Sequence, residues 1–317
     1  MPDSDLRVLF VIPGSPDGSS MIFAKRQARA VAERGVSTSE FYLKSRTRPL
    51  VILDEVARLR AAIRAFDPHV VHAQFGTMTG FVTGIATRRP VVVTFFGGDL
   101  NPGATAFWPR SFGGRVLSQF AARRADGLVC VSSELRDRLW WRRAEVVIIP
   151  CGADTRVFYP RPQSEARAIL HWGADERVVL INARFDPRRK RIDLARAAVD
   201  DVQRRIGPVR FEVMDGSRDP SLVPVLMNAA DCLLVTSDSE GSPTVVQEAI
   251  ASNLPVVSVD VGDVRERLSR VVPSWIVDRD PASLGAALAE ILVARQRSNG
   301  ADVVEDVSLS GVAARLE

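Results

Sequence analysis

Short, wholly apolar runs alternate with amphipathic stretches along nearly the whole chain. The runs are rich in β-branched residues and lack polar alternation, as in LRVLFVIP at 6–13, PVVVTFF at 90–96 and RVVLINARF at 177–185. Runs of this kind are typical of parallel strands that helices cover on both faces. The pattern therefore predicts an α/β protein with parallel sheets.

This alternation occurs twice. The first half has predicted strands at 6–13, 37–43, 69–74, 90–96, 127–132 and 145–150, with helices at 20–35, 51–66 and 77–88. The second half has predicted strands at 177–185, 209–214, 231–237, 255–260 and 274–278, with helices at 191–205, 221–230, 243–252 and 281–295. With 317 residues, about twice a typical domain, the chain is predicted to form two doubly wound Rossmann-like domains, 1–155 and 156–317, facing across a cleft. Functional residues are expected in loops that directly follow strands.

Composition narrows the class of protein. Hydrophobic residues make up 46% and charged residues 25%, as in an ordinary soluble globular chain. No apolar run approaches the roughly 20 residues that span a bilayer, and the N-terminus is interpreted as a first strand and not a signal peptide. The arginines are spread over both halves near acids, which argues against a nucleic-acid partner. We therefore expect a cytoplasmic protein.

Cysteine and histidine usage indicates neither disulfides nor zinc. The cysteines are odd in number, lie far apart and sit in apolar runs, so they are predicted to be core residues in a reducing compartment. They are Cys130, Cys151 and Cys232. The three histidines are badly spaced for a zinc site.

The segment TSDSEGSPTVVQEAIASNLPVV places two glutamates around a predicted helix start. A strand ends at Ser237, a polar loop contains Glu240, and a helix is predicted to begin near Pro243 with Glu248 inside it. Exposed backbone N–H groups at a helix start attract anions. The glutamate spacing by itself is also typical of two surface carboxylates, but together with the strand, the Gly-Ser-Pro turn and the helix start it indicates a binding site.

A second segment, VVLINARFDPRRKRIDLA, places cations after a strand. Arg184 ends the strand, and Lys190, one of only three lysines, precedes the next helix. Both side chains are expected to face solvent in the empty site. A solvated basic run is the alternative interpretation.

EGSPTVVQEA followed by NLPVV resembles the Glu-x7-Glu region of family 4 retaining glycosyltransferases, which have the GT-B fold. The resemblance implies that Glu240 contacts the donor sugar and that Glu248 binds the nucleotide ribose. It also implies that the residues between them bind the donor, with the backbone N–H groups of the serine and threonine facing the sugar and diphosphate. These residues are Gly241, Ser242, Pro243 and Thr244.

The basic segment resembles the Gly-Arg-Leu…Lys-Gly segment of the same family, with Ala183 in place of glycine. The resemblance implies that Arg184 and Lys190 clamp the donor diphosphate and act with Glu240 as the catalytic residues. The loop is one residue longer here, so Arg189 can share the role. These cations and the helix start take the place of a metal, so no metal or other cofactor is expected.

The first half resembles the family as well, in IPGSPDGSSMIFAKRQARAVAERG, HVVHAQFG and VVIIPCGADTRVFYP. Gly18 and Ser19 are the candidates for the loop that faces donor and acceptor. PVVVTFFGGDL departs from the family pattern, because Phe96 stands where a histidine is usual, while Asp99 is kept on the predicted acceptor side. The departure argues against a side-chain base at that position.

The resemblance implies a retaining hexosyltransferase, with an N-terminal acceptor-binding domain and a C-terminal domain that binds a nucleoside diphosphate sugar. The expected acceptor is a sugar or lipid-linked sugar in polysaccharide or glycoconjugate biosynthesis. For the run at 140–143, Trp-Trp-Arg-Arg, the sequence favours packing of one tryptophan beside a solvated arginine pair, and peripheral contact at the inner face of the cell membrane is the alternative.

Three alternatives remain. The first is a catalytically inactive nucleotide-sugar-binding partner protein, which Phe96 favours. The second is a GT-B-like sugar-nucleotide epimerase, which would need acid–base side chains in the cleft, and the low histidine content and Phe96 argue against it. The third, a dinucleotide dehydrogenase, is disfavoured because GSPDGSS, and not GxGxxG, follows the first strand.

Overall fold

A computed structural model of the protein describes residues 6–17, 20–44, 49–101, 108–141, 144–184 and 186–317. The chain divides into two compact units. The first comprises Met1–Gly152 together with Leu309–Glu317, and the second comprises Ala153–Ser308.

Within its described residues, the first unit contains a six-stranded parallel sheet in the order β2-β1-β3-β4-β5-β6. Its strands are β1 Arg7–Pro13, β2 Ser37–Leu43, β3 Val70–Gln74, β4 Val91–Phe95, β5 Gly127–Cys130 and β6 Val146–Ile148. Its helices are α1 Ile22–Glu33, α2 Pro49–Phe66, α3 Thr77–Ala86, α4 Trp108–Arg124, α5 Ser133–Asp137 and, at the chain's end, α12 Leu309–Leu316.

The described part of the second unit contains a five-stranded parallel sheet in the order β11-β10-β9-β7-β8. Its strands are β7 Val178–Asn182, β8 Arg210–Met214, β9 Cys232–Val235, β10 Val256–Val259 and β11 Trp275–Val277. Its helices are α6 Gln163–Leu170, α7 Ile192–Ile206, α8 Val223–Ala229, α9 Thr244–Ala251, α10 Val264–Leu268 and α11 Pro281–Ala294, with 3-10 turns at Pro220–Leu222 and Gly300–Val307.

Both faces of each sheet are covered, as the apolar runs predict. Along β1, Leu9 and Val11 pack into one apolar cluster, while Phe10 and Ile12 pack into another. Each of these side chains is at most 1% exposed. The predicted burial of the cysteines is also confirmed, because all three are buried.

The strand order places a switch point in each sheet. In the second sheet, β7 connects to β8 on one side, whereas its neighbour β9 connects to β10 on the other side. In the first sheet, β1 connects to β2 on one side, whereas its neighbour β3 connects to β4 on the other. Loops that leave the carboxyl ends of the two strands flanking a switch point diverge and leave a crevice in which ligands bind. In the second sheet these are the loops after β7 and β9.

The predicted domain boundaries are wrong for the last residues, because α12 belongs to the first unit and not to the second. Leu309 and Ala313 join the apolar cluster that contains Phe10 and Cys151. Gly152 lies so close to α12 that an added Cβ would be 3.2 Å from the Leu309 Cα. The short helix buries an apolar face, and this face is complementary to the first sheet's helix layer.

Four helices were not predicted from the periodicity: α4, α6, α10 and α12. They are short, or they mix arginine and aromatic residues around the helix, so the apolar spacing is weak. None of the helices formed by the described residues combines the length and apolar character needed to cross a bilayer.

Candidate active site

The basic loop after β7 begins at the switch point of the second sheet. The Asn182 side chain accepts a hydrogen bond from the Arg184 N–H over 3.1 Å and so shapes the first turn of the loop. The Arg184 side chain lies across Gly216, which follows β8 and has a φ of +91°. A Cβ at Gly216 would be 3.1 Å from the Arg184 Nε, so the glycine leaves room for this guanidinium.

Two cations of this loop hold Glu240 from the loop after β9. The Lys190 Nζ lies 2.5 Å from Glu240 Oε1, and the Arg189 Nη1 lies 3.0 Å from Glu240 Oε2. Both carboxylate oxygens of Glu240 are therefore paired with positive charge. The prediction that Lys190 faces solvent is wrong: the residue is only 9% exposed, because its ammonium is engaged by this carboxylate.

Hydrogen bonds to backbone carbonyl groups hold the two loops together. The Thr236 hydroxyl donates to the Lys190 carbonyl over 2.7 Å, and the Asp238 N–H donates to the Arg189 carbonyl over 2.8 Å. The Arg189 guanidinium in turn donates to the Ser239 carbonyl over 2.5 Å. These contacts exist because β7 and β9 are neighbours, with Leu180 beside Leu233. The cation–carboxylate cluster is thus preorganised.

The charge on Glu240 is retained despite its burial. Burial disfavours the carboxylate, but the Lys190 ammonium and the Arg189 guanidinium outweigh that effect and hold the pKa of Glu240 below its ordinary value. Asp186 of the basic loop also belongs to this cluster, because its Oδ2 lies 3.7 Å from the Arg189 Nε. Glu240 is therefore a buried carboxylate inside a network of cations and carboxylates.

Helix α9 begins one residue later than predicted, since Pro243 is its N-cap and Thr244 its first residue. Proline has no side-chain acceptor, so the cap residue makes no side-chain hydrogen bond to the first turn. Along α9 the half-buried positions are Thr244 and Glu248, four residues apart, while the residues between them are buried. The uncapped helix start and Glu248 therefore share one accessible face.

The sequence did not single out Arg279 as part of this region. Its Nη1 donates hydrogen bonds to the carbonyl oxygens of Thr236 and Ser237, at a distance of 2.9 Å in both cases. The same nitrogen lies 3.2 Å from Asp238 Oδ1. Arg279, which lies just before α11, thereby holds the loop after β9 in place. Asp280 caps α11 by accepting from the Ala282 and Ser283 N–H groups.

Among the residues that the structure describes, no three histidine, cysteine or carboxylate side chains come together as a metal site.

Of the residues predicted in the first unit, Gly18 and Ser19 lie outside the described residues. Phe96 packs its ring against Phe23 of α1, with the ring centroids 4.6 Å apart, and is 9% exposed. The aromatic side chain thus fills an apolar contact where the family pattern has an imidazole.

The prediction that Asp99 lines the acceptor side needs correction. Its carboxylate accepts from the N–H groups of Gly97 over 2.9 Å, Gly76 over 3.0 Å and Phe96 over 3.2 Å, and the residue has no exposed surface. Burial raises the pKa of Asp99, and the amide hydrogen bonds oppose that rise. The side chain therefore orders the loops after β3 and β4 and has no surface with which to line a pocket.

The end of β3 carries two buried polar side chains. The His72 Nε2 lies 2.7 Å from the Thr94 Oγ1, and burial lowers the pKa of His72 to about 4. Gln74 has no exposed surface, and neither polar atom of its amide has a hydrogen-bond partner among the described residues. Phe75 and Thr77, which follow, have positive φ angles of 148° and 29°. Strain of this kind often marks functional loops.

Two family models match the chain. The Glycosyltransferase Family 4 model matches residues 8–157, and the Glycosyl transferases group 1 model matches residues 210–293. The second match includes the Glu240 loop and α9, while the basic loop lies between the two matched regions. The chain belongs to glycosyltransferase family 4.

Individual proteins agree with this family membership. TuaC of Bacillus subtilis, named as a teichuronic acid biosynthesis glycosyltransferase, is 26% identical over 220 residues, which are 63% of this chain and 55% of that protein. The chain thus spans about half the length of this curated relative.

The fold of this family 4 member is GT-B. Sucrose-phosphate synthase from Thermosynechococcus elongatus superimposes with a TM-score of 0.80 at 19% identity, covering 98% of this chain and 97% of that one. HepE of Anabaena, solved with UDP-glucose, has a TM-score of 0.70 at 17% identity and covers 98% of both chains. UDP-N-acetylglucosamine 2-epimerases also share the fold.

Proposed function

We propose that this family 4 member is a retaining glycosyltransferase that moves a sugar from a nucleoside diphosphate donor to an acceptor hydroxyl. The second domain binds the donor, and the first binds the acceptor, a sugar or lipid-linked sugar. The product belongs to polysaccharide or glycoconjugate biosynthesis. The relatives named for teichuronic acid biosynthesis and solved with UDP-glucose support this class of substrate.

One observation carries the proposal. The Lys190–Glu240–Arg189 cluster lies at the switch point of the second sheet, on the loop that leads into the uncapped start of α9. Cations and free helix amides at one crevice bind a diphosphate, while carboxylates beside them bind hydroxyl groups. A nucleoside diphosphate sugar carries both kinds of group.

In the proposed reaction, Lys190, Arg184 and Arg189 bind the diphosphate and stabilise the charge that develops as it leaves. Backbone N–H groups of the 241–244 segment add to that stabilisation. Glu240 accepts hydrogen bonds from the donor sugar, and Glu248 accepts them from the ribose. No metal ion is required, since these groups supply the positive charge.

Retention follows from attack on the same face as the leaving group. The acceptor oxygen forms a bond to the anomeric carbon, the bond from that carbon to the diphosphate oxygen breaks, and the acceptor proton passes to the departing phosphate oxygen. This route needs no side-chain base. It is compatible with Phe96 in place of histidine and with an Asp99 carboxylate that is already engaged by amides.

Peripheral membrane contact is part of the proposal for lipid-linked acceptors. We call Phe120, Arg123, Trp140 and Trp141 the Trp140 patch. Trp140 is 52% exposed and Phe120 is 48% exposed. Their rings flank Trp141 at centroid distances of 5.9 Å and 6.0 Å, and the Arg123 guanidinium lies 5.5 Å from the Trp141 ring. Aromatic and basic side chains of this kind favour the membrane interface. Arg142 and Arg143 lie outside the described residues.

A panel of nucleoside diphosphate sugars, screened by thermal shift, tests donor binding, because a ligand that binds only the folded state raises the unfolding temperature. The stabilising donor is then incubated with candidate sugar acceptors and the product is identified by mass spectrometry and NMR of its anomeric proton. Transfer with an inverted configuration would refute retention. Donor that is bound but neither transferred nor hydrolysed would favour the inactive-partner alternative, and an epimerised donor would favour the epimerase.

A further inference from the structure

Ser242 lies in the proposed donor loop, yet its hydroxyl is already engaged within the protein. The Ser242 Oγ donates to Asp263 Oδ2 over 2.7 Å and accepts from the Gln247 Nε2 over 2.6 Å. Ser242 and Gln247 are both buried. The hydroxyl therefore has both its donor and an acceptor position occupied, and the backbone N–H is the group of Ser242 that can serve a ligand.

Asp263 comes from the neighbouring loop, after β10. Strand β10 pairs with β9, with Ser258 beside Val235, so the loops that follow the two strands are adjacent. Their backbones touch: Gly262 has a φ of +58°, and a Cβ there would be 2.7 Å from the Gly241 carbonyl oxygen. Glycine is required at this contact. The loop after β10 thus supports the donor loop directly.

A third side chain completes the connection. The Arg267 Nε lies 2.8 Å from Asp263 Oδ2, the same oxygen that accepts from Ser242, and the Arg267 side chain is only 9% exposed. Asp263 Oδ1 is buried without a partner among the described residues. The carboxylate is therefore held through Oδ2 alone, by the Ser242 hydroxyl and the Arg267 guanidinium. Asp263 is also the N-cap of α10, but its side chain makes no capping hydrogen bond to the first turn.

We infer that Asp263 and Arg267 are positioning residues that hold Ser242 so that the donor loop presents its backbone N–H groups to the diphosphate. This inference rests on the proposed function. Arg267 orients Asp263, Asp263 binds the Ser242 hydroxyl, and Ser242 fixes the segment between Glu240 and α9. Neither Asp263 nor Arg267 contacts the donor.

The experiment measures the affinity of the full chain for UDP and GDP by calorimetry, together with the unfolding temperature of each variant. Arg267→Met breaks the connection at its far end, and Ser242→Ala breaks it at the loop while keeping the backbone N–H. Arg267→Lys keeps a cation beside Asp263. Arg265→Met is the matched control, because Arg265 lies on the same helix and pairs with Asp260 at the surface.

Arg267→Met and Ser242→Ala should each weaken nucleoside diphosphate binding by about 10-fold, the order expected when hydrogen bonds to a charged ligand are misaligned. The double variant should lose no more than either single variant, because both break one connection. Arg267→Lys should restore much of the affinity, and Arg265→Met should bind like the unmodified chain.

Two results would overturn the inference. One is an Arg267→Met variant with a lowered unfolding temperature and unchanged affinity, which would make the connection purely structural. The other is additive losses in the double variant, which would mean that the Ser242 hydroxyl serves the ligand itself. If the unmodified chain binds no nucleoside diphosphate at all, the proposed function fails and the inference fails with it.

Discussion

Lys190 Nζ lies 2.5 Å from Glu240 Oε1, although fifty positions separate the two residues in the chain. Before any ligand binds, the lysine proposed to stabilise the leaving group is therefore paired with the carboxylate proposed to hold the sugar. A diphosphate would share Lys190 with Glu240, while the sugar hydroxyls would donate to Glu240. The Lys190–Glu240 pair would thus contact both the diphosphate and the sugar of the donor.

Replacing Lys190 by methionine should lower kcat about 100-fold, the order expected for removal of a group that stabilises developing charge. The variant should also be less stable, because Glu240 stays buried and loses one of the two cations that pair with its carboxylate oxygens. Initial rates and urea denaturation measure the two effects. Arg188→Met is the control, since Arg188 is exposed in the same loop. Unchanged turnover in the Lys190 variant would remove it from the diphosphate site.

Replacing Glu240 and replacing Glu248 should affect the binding of different ligands. Glu248→Ala should weaken free nucleoside diphosphate and intact donor alike, by about 10-fold or more, because both ligands carry the ribose. Glu240→Gln should spare free nucleoside diphosphate binding, since it releases Lys190 and Arg189, but should lower turnover of the whole donor. Calorimetry with both ligands measures this. Equal losses of free diphosphate binding in the two variants would contradict the sugar role of Glu240.

Activity should persist in excess EDTA, because side-chain cations and backbone amides occupy the role that a divalent ion has in metal-dependent transferases. Transfer rates are compared with and without chelator and after added magnesium or manganese. A loss on chelation that either ion reverses would show that a metal takes part.

His72 should make the protein less stable in mild acid. Its folded-state pKa is about 4, below the ordinary 6.5, so the unfolded chain binds more protons between these values. The free energy of unfolding should therefore fall as the pH drops from about 6.5 to about 4, by up to ~1.4 kcal/mol per pH unit. Calorimetric scans at pH 7, 6 and 5 test this. His72→Gln should flatten the dependence, whereas a variant of the exposed His171 should keep it.

The Trp140 patch should bind anionic vesicles. Trp140→Ala should reduce cosedimentation of the full chain with phosphatidylglycerol vesicles by about 10-fold, as expected for losing apolar burial of an exposed indole. Trp275→Ala is the control, because Trp275 is also exposed but lies on the edge strand of the second sheet. If both variants sediment like the unmodified protein, the patch has no role at a membrane.

The sequence predicted the parallel sheets well, because β-branched apolar runs such as PVVVTFF permit little besides a strand buried on both faces. It also placed Lys190 and Glu240 in loops that directly follow strands. It did not predict that Lys190 and Glu240 form an ion pair, or that the Asp99 carboxylate accepts its hydrogen bonds from backbone N–H groups. These facts depend on the distances between loops, which local patterns do not encode. The Asp263 connection was missed for the same reason, since no motif marks it.

The return of α12 to the first unit imposes an order on the maturation of the chain during synthesis. Ala153–Ser308 is continuous, so this unit can complete its core once Ser308 has left the ribosome. The earlier unit must wait for Leu309–Leu316 before the apolar face beside Cys151 is covered. The part made first is therefore finished last.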